Sequence, residues 1–281
     1  MYQVLFQIPG LGIKVYGFGL MLTLALIGSM NLAAWRAGRE KLDPDQVFDL
    51  AIWVLLGGLV GARLFFVAEY WKTFRSWWEV FQVWNGGIVL YGSLAGAIVV
   101  FLLYRWRNPF PARPMMDAIA PAVALGIALG RIGCFLNGCC YGDRCDLPWA
   151  TSFPAESPPW VDHVKHLLIP ASALRSLPIH PTQIYSAIDG FLLLGLLSAF
   201  YPLRTRDGEV MALLLVTYPV TRFLIERLRN DEAAFAGGMT VSQVISLGLL
   251  AVGLGFWAYL RSLSPGRYAD TATGPPAEPA R

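Results

Sequence analysis

The sequence has few charged residues. Only 15% of its 281 residues are Asp, Glu, Lys or Arg, whereas a soluble domain carries about 25%. Apolar residues make up 56% of the chain, and the mean hydropathy is +0.50. The formal net charge is only +3, and the basic residues are spread over short loops. This composition argues against a nucleic-acid-binding protein and indicates an integral membrane protein.

Histidine and cysteine are also scarce, with three and four residues respectively. So few ligands leave little room for a metal cluster, and we predict no metal and no cofactor. Residues 1–13 contain no Lys or Arg, so the first apolar run lacks the basic region of a cleavable signal peptide. We therefore expect that run to be retained, and residues 1–14 to form an interfacial segment such as a short amphipathic helix.

Long apolar runs recur along the chain and predict an all-α, polytopic membrane protein with about seven transmembrane helices. The spans are expected at about residues 16–35, 47–67, 88–104, 115–135, 182–200, 210–225 and 241–260. One transmembrane domain is expected to cover residues 1–263, with a Pro-rich insert at about 138–181 that is not a regular span. The tail, residues 264–281, is rich in Pro, Ala and Thr and is expected to be disordered.

Basic residues are distributed unevenly between the two sides of the predicted bundle. The loops after spans one, three, five and seven carry most of them, and such loops face the cytoplasm. This predicts an external N-terminus, an external insert and a cytoplasmic C-terminus. The basic cluster at residues 222–229 violates the rule, which makes it a candidate functional site.

Three glycine pairs, at residues 57/61, 92/96 and 126/130, have a spacing of four. Small residues one helical turn apart allow helix backbones to approach closely. Glycine is common in membrane helices, so we interpret all three pairs as packing positions.

Residues 130–142 lie where an apolar run meets the polar insert, and their sequence is Gly-Arg-Ile-Gly-Cys-Phe-Leu-Asn-Gly-Cys-Cys-Tyr-Gly. A charge at a membrane boundary is costly unless something uses it. One interpretation is a snorkelling Arg131 beside a loop that is cross-linked by cysteines. The other is a functional site that contains Arg131 and Asn137.

Arg222, Glu226 and Arg229 share one face if the helix of span six continues, because their spacing is i, i+4 and i+7. They could form a self-neutralising network, or a phosphate clamp in which Glu226 orients an arginine. Arg63 and Arg131 are two further cations near apolar runs. If spans two, four and six converge on the external side, all of these arginines could reach one anionic lipid headgroup.

Three aromatic residues stand at the starts of spans. Tyr16 begins span one, and Tyr91 lies between glycines early in span three. Interfacial tyrosine is usually an anchor, although flanking glycines allow a ligand to approach. His180 precedes span five, where it is either part of a helix cap or a general base.

The four cysteines follow a C-x4-C-C-x4-C pattern at residues 134–145. An external location favours disulfide bonds, and the spacing differs from the paired C-x2-4-C of zinc sites. We therefore rank structural disulfides first, free thiols second and metal binding third. The pairing cannot be read from the sequence.

The chain resembles the bacterial prolipoprotein diacylglyceryl transferases. The segments that carry the resemblance occur in order at residues 15–17, 61–63, 86–92, 117–138, 180–185 and 222–226. The resemblance implies transfer of the diacylglyceryl group of phosphatidylglycerol to the lipobox cysteine of a prolipoprotein signal peptide. A thioether forms and glycerol 1-phosphate leaves. Arg131 and Arg222 are then the candidates to stabilise the phosphate.

The chain departs from the family pattern at four positions. Tyr91 stands where the family often has His, Cys134 where it often has Asn, and Cys139 and Ser186 where it often has Glu. The base therefore stays open between Tyr91, His180, Glu226 and a thiol whose pKa is lowered by cations.

The resemblance assigns catalytic roles to Arg131, Arg222, Glu226, Tyr91 and Tyr16, and substrate binding to Arg131, Arg63, Asn137, His180 and Arg229. The alternatives are a lipid-binding paralogue without turnover, a transporter of anionic solutes and a thiol-redox membrane protein. Intramembrane arginines would suit a transporter equally. The chain shows no internal repeat of the kind that many transporters have.

Overall fold

Helices form most of the structure, a computed structural model that describes residues 4–7, 14–71, 74, 76–82, 87, 89–229 and 234–271. The helices are α1 (Gly17–Arg39), α2 (Pro44–Glu69), α3 (Leu90–Arg107), α4 (Ala112–Asn137), α5 (Pro158–Lys165), α6 (Thr182–Phe200), α7 (Glu209–Glu226), α8 (Val241–Ser262) and α9 (Tyr268–Thr271). Two antiparallel hairpins are formed by β1 (Val4–Gln7) with β2 (Lys14–Tyr16), and by β3 (Ala234–Ala236) with β4 (Met239–Thr240).

Each predicted span coincides with a long helix, and the all-α polytopic membrane fold is confirmed. Five helices in the described part of the chain are long and apolar enough to cross a membrane, namely α1, α2, α4, α6 with its 3-10 extension to Leu203, and α8. The helices α3 and α7 have 18 residues each and carry charges at their ends. The number of seven spans therefore stays a prediction.

The N-terminal segment differs from the expected short helix. Val4–Gln7 is a strand that pairs with Lys14–Tyr16, with a register shift between Val4 and Phe6. Pro9 and Gly10 disfavour a helix across this segment, because proline lacks a donor and glycine loses backbone entropy. Residues 8–13 lie outside the described part of the chain.

Part of the tail that was expected to be disordered is folded. The Gly266 amide donates to the Thr205 carbonyl (3.1 Å), and the Tyr268 amide donates to the Asp207 carboxylate (2.6 Å). These bonds hold α9 against the loop between α6 and α7, so the expectation of disorder is wrong for residues 266–271. Residues 272–281 lie outside the described part.

The helices α2 and α3 pack through their glycine pairs. A Cβ atom added to Gly61 would lie 2.3 Å from the Gly92 carbonyl oxygen, and one added to Gly96 would lie 2.2 Å from the Gly57 carbonyl oxygen. Only glycine fits at these positions, so the packing interpretation holds for both pairs. In the third pair, a Cβ at Gly130 would meet nothing within 4 Å.

The helix α4 contacts α1, α6 and α7, and its first turns carry an aspartate that caps α7. The Asp117 carboxylate accepts hydrogen bonds from the amides of Gly208 (2.7 Å), Val210 (2.9 Å) and Met211 (3.0 Å). These are N-terminal amides of α7 that lack intrahelical partners. The start of α7 is therefore fixed to the start of α4.

A buried arginine joins the same end of the bundle. Arg204 forms ion pairs with Glu40 (2.5 Å) and Asp117 (3.4 Å), and its guanidinium lies over the Tyr201 ring, 4.1 Å from the centroid. We call the end of the bundle that contains this cluster of Glu40, Asp117, Tyr201 and Arg204 the anchor end.

The insert between α4 and α6 is a small folded head. Phe153 and Ile179 are fully buried within it, and isolated β-bridges join Ile179 to Arg144 and Thr151. The rings of Phe153 and Phe135 are 6.0 Å apart, which packs the head on the end of α4. Its helix, α5, has eight residues and is too short to cross a membrane.

Candidate active site

Three segments that are distant in sequence meet beyond the C-terminal end of α4. The Gly142 amide donates to the His180 carbonyl (3.0 Å), and the Asp143 amide donates to the Leu228 carbonyl (2.8 Å). A Cβ on Gly142 would lie 2.6 Å from both the His180 Cβ and the Leu228 oxygen. The loop after α4 therefore joins the start of α6 to the end of α7, and glycine is required at the junction. We call this the site end of the bundle.

Arg131 and Arg222 line one crevice at the site end. Arg131 comes from the last turns of α4 and Arg222 from the last turns of α7. The remaining residues that line the crevice are Ile127, Ser186, Asp189, Tyr218 and Ile225. The crevice encloses only about 10 Å³, about the room that one water molecule needs, so a phosphate that met both guanidinium groups would have to widen it.

A buried carboxylate holds Arg222 in place. Glu226 is 1% exposed and forms ion pairs with Arg222 and with Arg229 (3.5 Å). The Thr240 hydroxyl donates to its second oxygen (3.3 Å), and Arg222 also donates to the Ser242 hydroxyl (3.3 Å). The spacing of Arg222 and Glu226 predicted this contact, because residues four apart are neighbours on a helix.

Asp189 is a crevice residue that the sequence analysis missed. It stands in α6, one turn after Ser186, and accepts a hydrogen bond from the Thr221 hydroxyl (2.9 Å). Residues 182–200 were predicted only to form an apolar span. An aspartate inside such a span was the available signal, because ionisable residues are rare there and usually functional.

The four cysteines are free thiols, so the disulfide prediction is wrong. The sulfur atoms of Cys134, Cys139 and Cys140 all lie within 4.8 Å of one another. Cys145 is not part of this cluster. We call Cys134, Cys139 and Cys140 the thiol cluster.

The thiol cluster is built on a sharp, well-supported turn. Gly138 ends α4 in the left-handed region (φ +78°), and Cys140 also has a positive φ of +60°, which is uncommon for a side-chain-bearing residue. The Cys139 carbonyl accepts from the Gln183 amide group, and the Cys140 carbonyl accepts from the Thr182 hydroxyl (both 2.8 Å). The start of α6 therefore holds the strained turn in position.

Neighbouring groups favour a thiolate at Cys140. Hydrogen bonds from Cys134 and Cys139 lower the pKa of the Cys140 thiol, and the charges of Arg131 and Arg229 lower it further, against the opposing effect of burial. The Asn137 side chain acts to lower the pKa of the Cys139 thiol, although the net shift of that pKa is upward. The thiol cluster is thus electrostatically coupled to the arginines of the site end.

Two other predicted site residues lie at the site end but have different surroundings. Tyr16 is 54% exposed, and the neighbouring Gly17 packs against Leu136 near the end of α4. The His180 ring lies 3.3 Å from the Tyr185 hydroxyl, which also accepts from the Trp149 indole (2.7 Å). Neither residue lines the crevice.

Arg63 binds backbone rather than the crevice. Its guanidinium donates to the carbonyls of Glu79 (2.5 Å), Val80 (2.7 Å) and Gly87 (3.2 Å). Arg63 therefore positions the segment that precedes α3. Tyr91 is the second residue of α3. The Tyr91 side chain lies outside the described part of the chain, so the prediction for it stays a prediction.

The fold and the site together define a class of protein. A bundle of membrane-spanning helices carries, at one end, a crevice with two arginines beside a cluster of thiols. This arrangement suits an integral membrane protein that handles an anionic, phosphate-bearing molecule.

Comparison with known proteins gives the family. The family model described as Prolipoprotein diacylglyceryl transferase matches residues 3–259. Relatives named phosphatidylglycerol–prolipoprotein diacylglyceryl transferase include one from Clostridium tetani, 33% identical over 254 residues (90% of this chain, 96% of the relative). One from Synechocystis is 31% identical over 266 residues (92% and 89%), and one from Rhodopirellula baltica is 42% identical over 153 residues (52% and 31%).

The chain belongs to the prolipoprotein diacylglyceryl transferase family, so the resemblance found in its sequence is confirmed. It is a membrane transferase that acts in the first step of lipoprotein maturation.

Proposed function

We propose that this chain transfers the diacylglyceryl group of phosphatidylglycerol to the thiol of the lipobox cysteine of a prolipoprotein. The names of its relatives support both substrates. The observation that carries the assignment of the site is the shared crevice of Arg131 and Arg222. Without that convergence, neither arginine would be distinguished from an interfacial anchor.

The reaction develops negative charge on a leaving phosphate, which the two arginines can stabilise. The attacking sulfur forms a bond to the terminal glyceryl carbon of the lipid, and the bond from that carbon to the phosphate oxygen breaks. The electron pair stays on the phosphate oxygen, and glycerol 1-phosphate leaves. Fixed cations beside the developing charge stabilise the transition state, and the Glu226 carboxylate keeps Arg222 oriented for this purpose.

We place the site end on the external face of the bacterial inner membrane. The proposal is supported by the excess of basic residues in the loops at the anchor end, which the positive-inside rule assigns to the cytoplasm. The thiol of a membrane-inserted prolipoprotein would then meet the lipid headgroup at the same boundary.

Complementation tests the function. The chain is expressed in bacteria depleted of their own diacylglyceryl transferase, and the mass of one reporter prolipoprotein is followed. The wild-type chain is expected to add a diacylglyceryl thioether. An unmodified reporter, with the chain present in the membrane, would instead favour a lipid-binding paralogue or a transporter.

The variants Arg131→Ala and Arg222→Ala test the site. Removing one fixed donor to the developing charge is expected to lower the rate by about 10²–10³-fold. The control is Arg107→Ala, which changes an exposed arginine at the end of α3 and should leave the rate unchanged. Wild-type activity in both crevice variants would contradict the assigned site.

A further inference from the structure

The three sulfurs of the thiol cluster are close enough to share one metal ion. They lie within 4.8 Å of one another. Ligands of a tetrahedral zinc ion with Zn–S distances of about 2.3 Å are separated by about 3.8 Å. Closing the cluster around zinc therefore requires sulfur movements of about 1 Å, which side-chain rotation can supply.

The backbone under the cluster is already fixed. Cys134 belongs to α4, and the Cys139 amide donates to the Cys134 carbonyl (3.2 Å). The hydrogen bonds from Gln183 and Thr182 hold the two following carbonyls. Strained backbone of the kind seen at Cys140 persists only where its surroundings enforce it, and it concentrates at functional sites.

Charge at the site end also suits a metal–thiolate centre. Three thiolates and one divalent cation carry a net charge of −1. Arg131 and Arg229 already act electrostatically on Cys140 and would offset that charge. Soft thiolate ligands select zinc over magnesium or calcium.

The cluster provides three ligand atoms. Across the part of the chain that the structure describes, no fourth His, Cys, Asp or Glu joins them within the same distance. Structural zinc sites have four protein ligands, whereas catalytic ones have three and keep a position open. The count therefore favours a site that accepts an exogenous ligand.

We propose that Cys134, Cys139 and Cys140 bind one zinc ion, and that its open position takes the thiol of the incoming prolipoprotein cysteine. This second part rests on the proposed function. The proposal departs from the sequence-based expectation of no metal. It identifies the activator of the thiol as a metal centre instead of a general base.

The chemistry is balanced without a redox step. A thiol that coordinates zinc is deprotonated, and its proton passes to water. The thiolate sulfur forms the bond to the glyceryl carbon while the carbon–oxygen bond breaks, and the leaving phosphate accepts a proton from water. The product thioether is a neutral, weak ligand that leaves the zinc ion. Arg131 stands one turn before Cys134 and acts electrostatically on Cys140, so a phosphate bound by Arg131 would lie near the thiol cluster.

Metal content tests the site independently of lipidation. The full chain is purified in detergent and its zinc is measured by mass spectrometry. We expect about one zinc ion per chain in the wild type, and loss of zinc in Cys134→Ser, Cys139→Ser and Cys140→Ser. Cys145→Ser is the matched control and should keep its zinc. Retention of zinc in all three cluster variants would overturn the proposal.

X-ray absorption on the wild-type chain covers the case in which the variants fail to fold. Three sulfur neighbours at zinc are expected, with a further sulfur when a lipobox peptide is added. A wild-type chain that binds no added zinc under reducing conditions would overturn the site. A mass lower by two hydrogens, with no zinc, would show a disulfide instead.

Lipidation by the zinc-depleted chain tests the catalytic part. Removal of zinc is expected to abolish transfer, and added zinc to restore it. Full transfer without zinc would overturn the catalytic role while leaving the site in place. Zinc binding with no transfer under any condition would count against the proposed function instead.

Discussion

The two ends of α4 use the same kinds of side chain for different purposes. At the anchor end, Arg204 is buried between the carboxylates of Glu40 and Asp117. At the site end, Arg131 and Arg222 line a narrow crevice with Asp189. Cations matched by carboxylates fix helices together, whereas cations in excess leave a place for an anionic substrate.

The charge balance of the two ends explains this difference. At the site end, Arg131 and Arg222 share the crevice with the Asp189 carboxyl group, and Glu226 pairs with both Arg222 and Arg229. In the buried cluster of the anchor end, the single guanidinium group of Arg204 pairs with two carboxyl groups, those of Glu40 and Asp117. A buried charge needs a partner, and under the proposed function the lipid phosphate adds negative charge at the site end.

Arg204→Ala should have the largest effect, and on stability. Breaking a buried ion pair by removing one partner costs about 3–5 kcal/mol, because Glu40 and Asp117 would stay buried without their cation. Thermal unfolding in detergent measures this loss. The lipidation rate per folded molecule should change little, and an unchanged unfolding temperature would remove the distinction between the two ends.

Glu226→Gln should have the next largest effect, and on activity. The neutral amide no longer fixes the Arg222 guanidinium, and misplacement of a catalytic group by about 1 Å can lower the rate about 10²-fold. The lipidation rate of the reporter prolipoprotein measures this loss of activity. Partial recovery in Glu226→Asp would support an orienting role, whereas full activity in Glu226→Gln would show that Arg222 is positioned by other contacts.

Gly142→Ala should have a smaller effect, and it should lower both the stability and the activity. The added methyl group would lie 2.6 Å from the Leu228 oxygen, so the junction of the three segments must open. Overpacking of this kind costs about 1–3 kcal/mol. The unfolding temperature in detergent and the lipidation rate should both be lower in this variant. Gly130→Ala is the control, since an added Cβ there meets nothing within 4 Å.

The sequence predicted those features that depend on local spacing. Apolar runs located the helices, and the spacing of four predicted the pairing of Arg222 with Glu226. The glycine pairs of α2 and α3 were correctly interpreted as packing positions because small residues one turn apart have that effect in any membrane helix.

The features that depend on distant contacts were not predictable in the same way. The turn at Cys139 and Cys140 is held by Gln183 and Thr182, more than 40 residues later, and the sequence alone does not reveal this support. Arg63 was assigned to the substrate because its charge was visible in the sequence. The backbone carbonyls that it binds were not visible.

Asp117 has a consequence for the spacing of the arginines. It fixes the starts of α4 and α7 to one another, so both helices run from a common origin toward the site end. Arg131 follows Asp117 by 14 residues and Arg222 follows Val210 by 12, which correspond to about 21 Å and 18 Å of helix. A single residue inserted into either stretch would turn its arginine by about 100°. Under the proposed function, the number of residues between this common origin and each arginine therefore matters as much as the arginine itself.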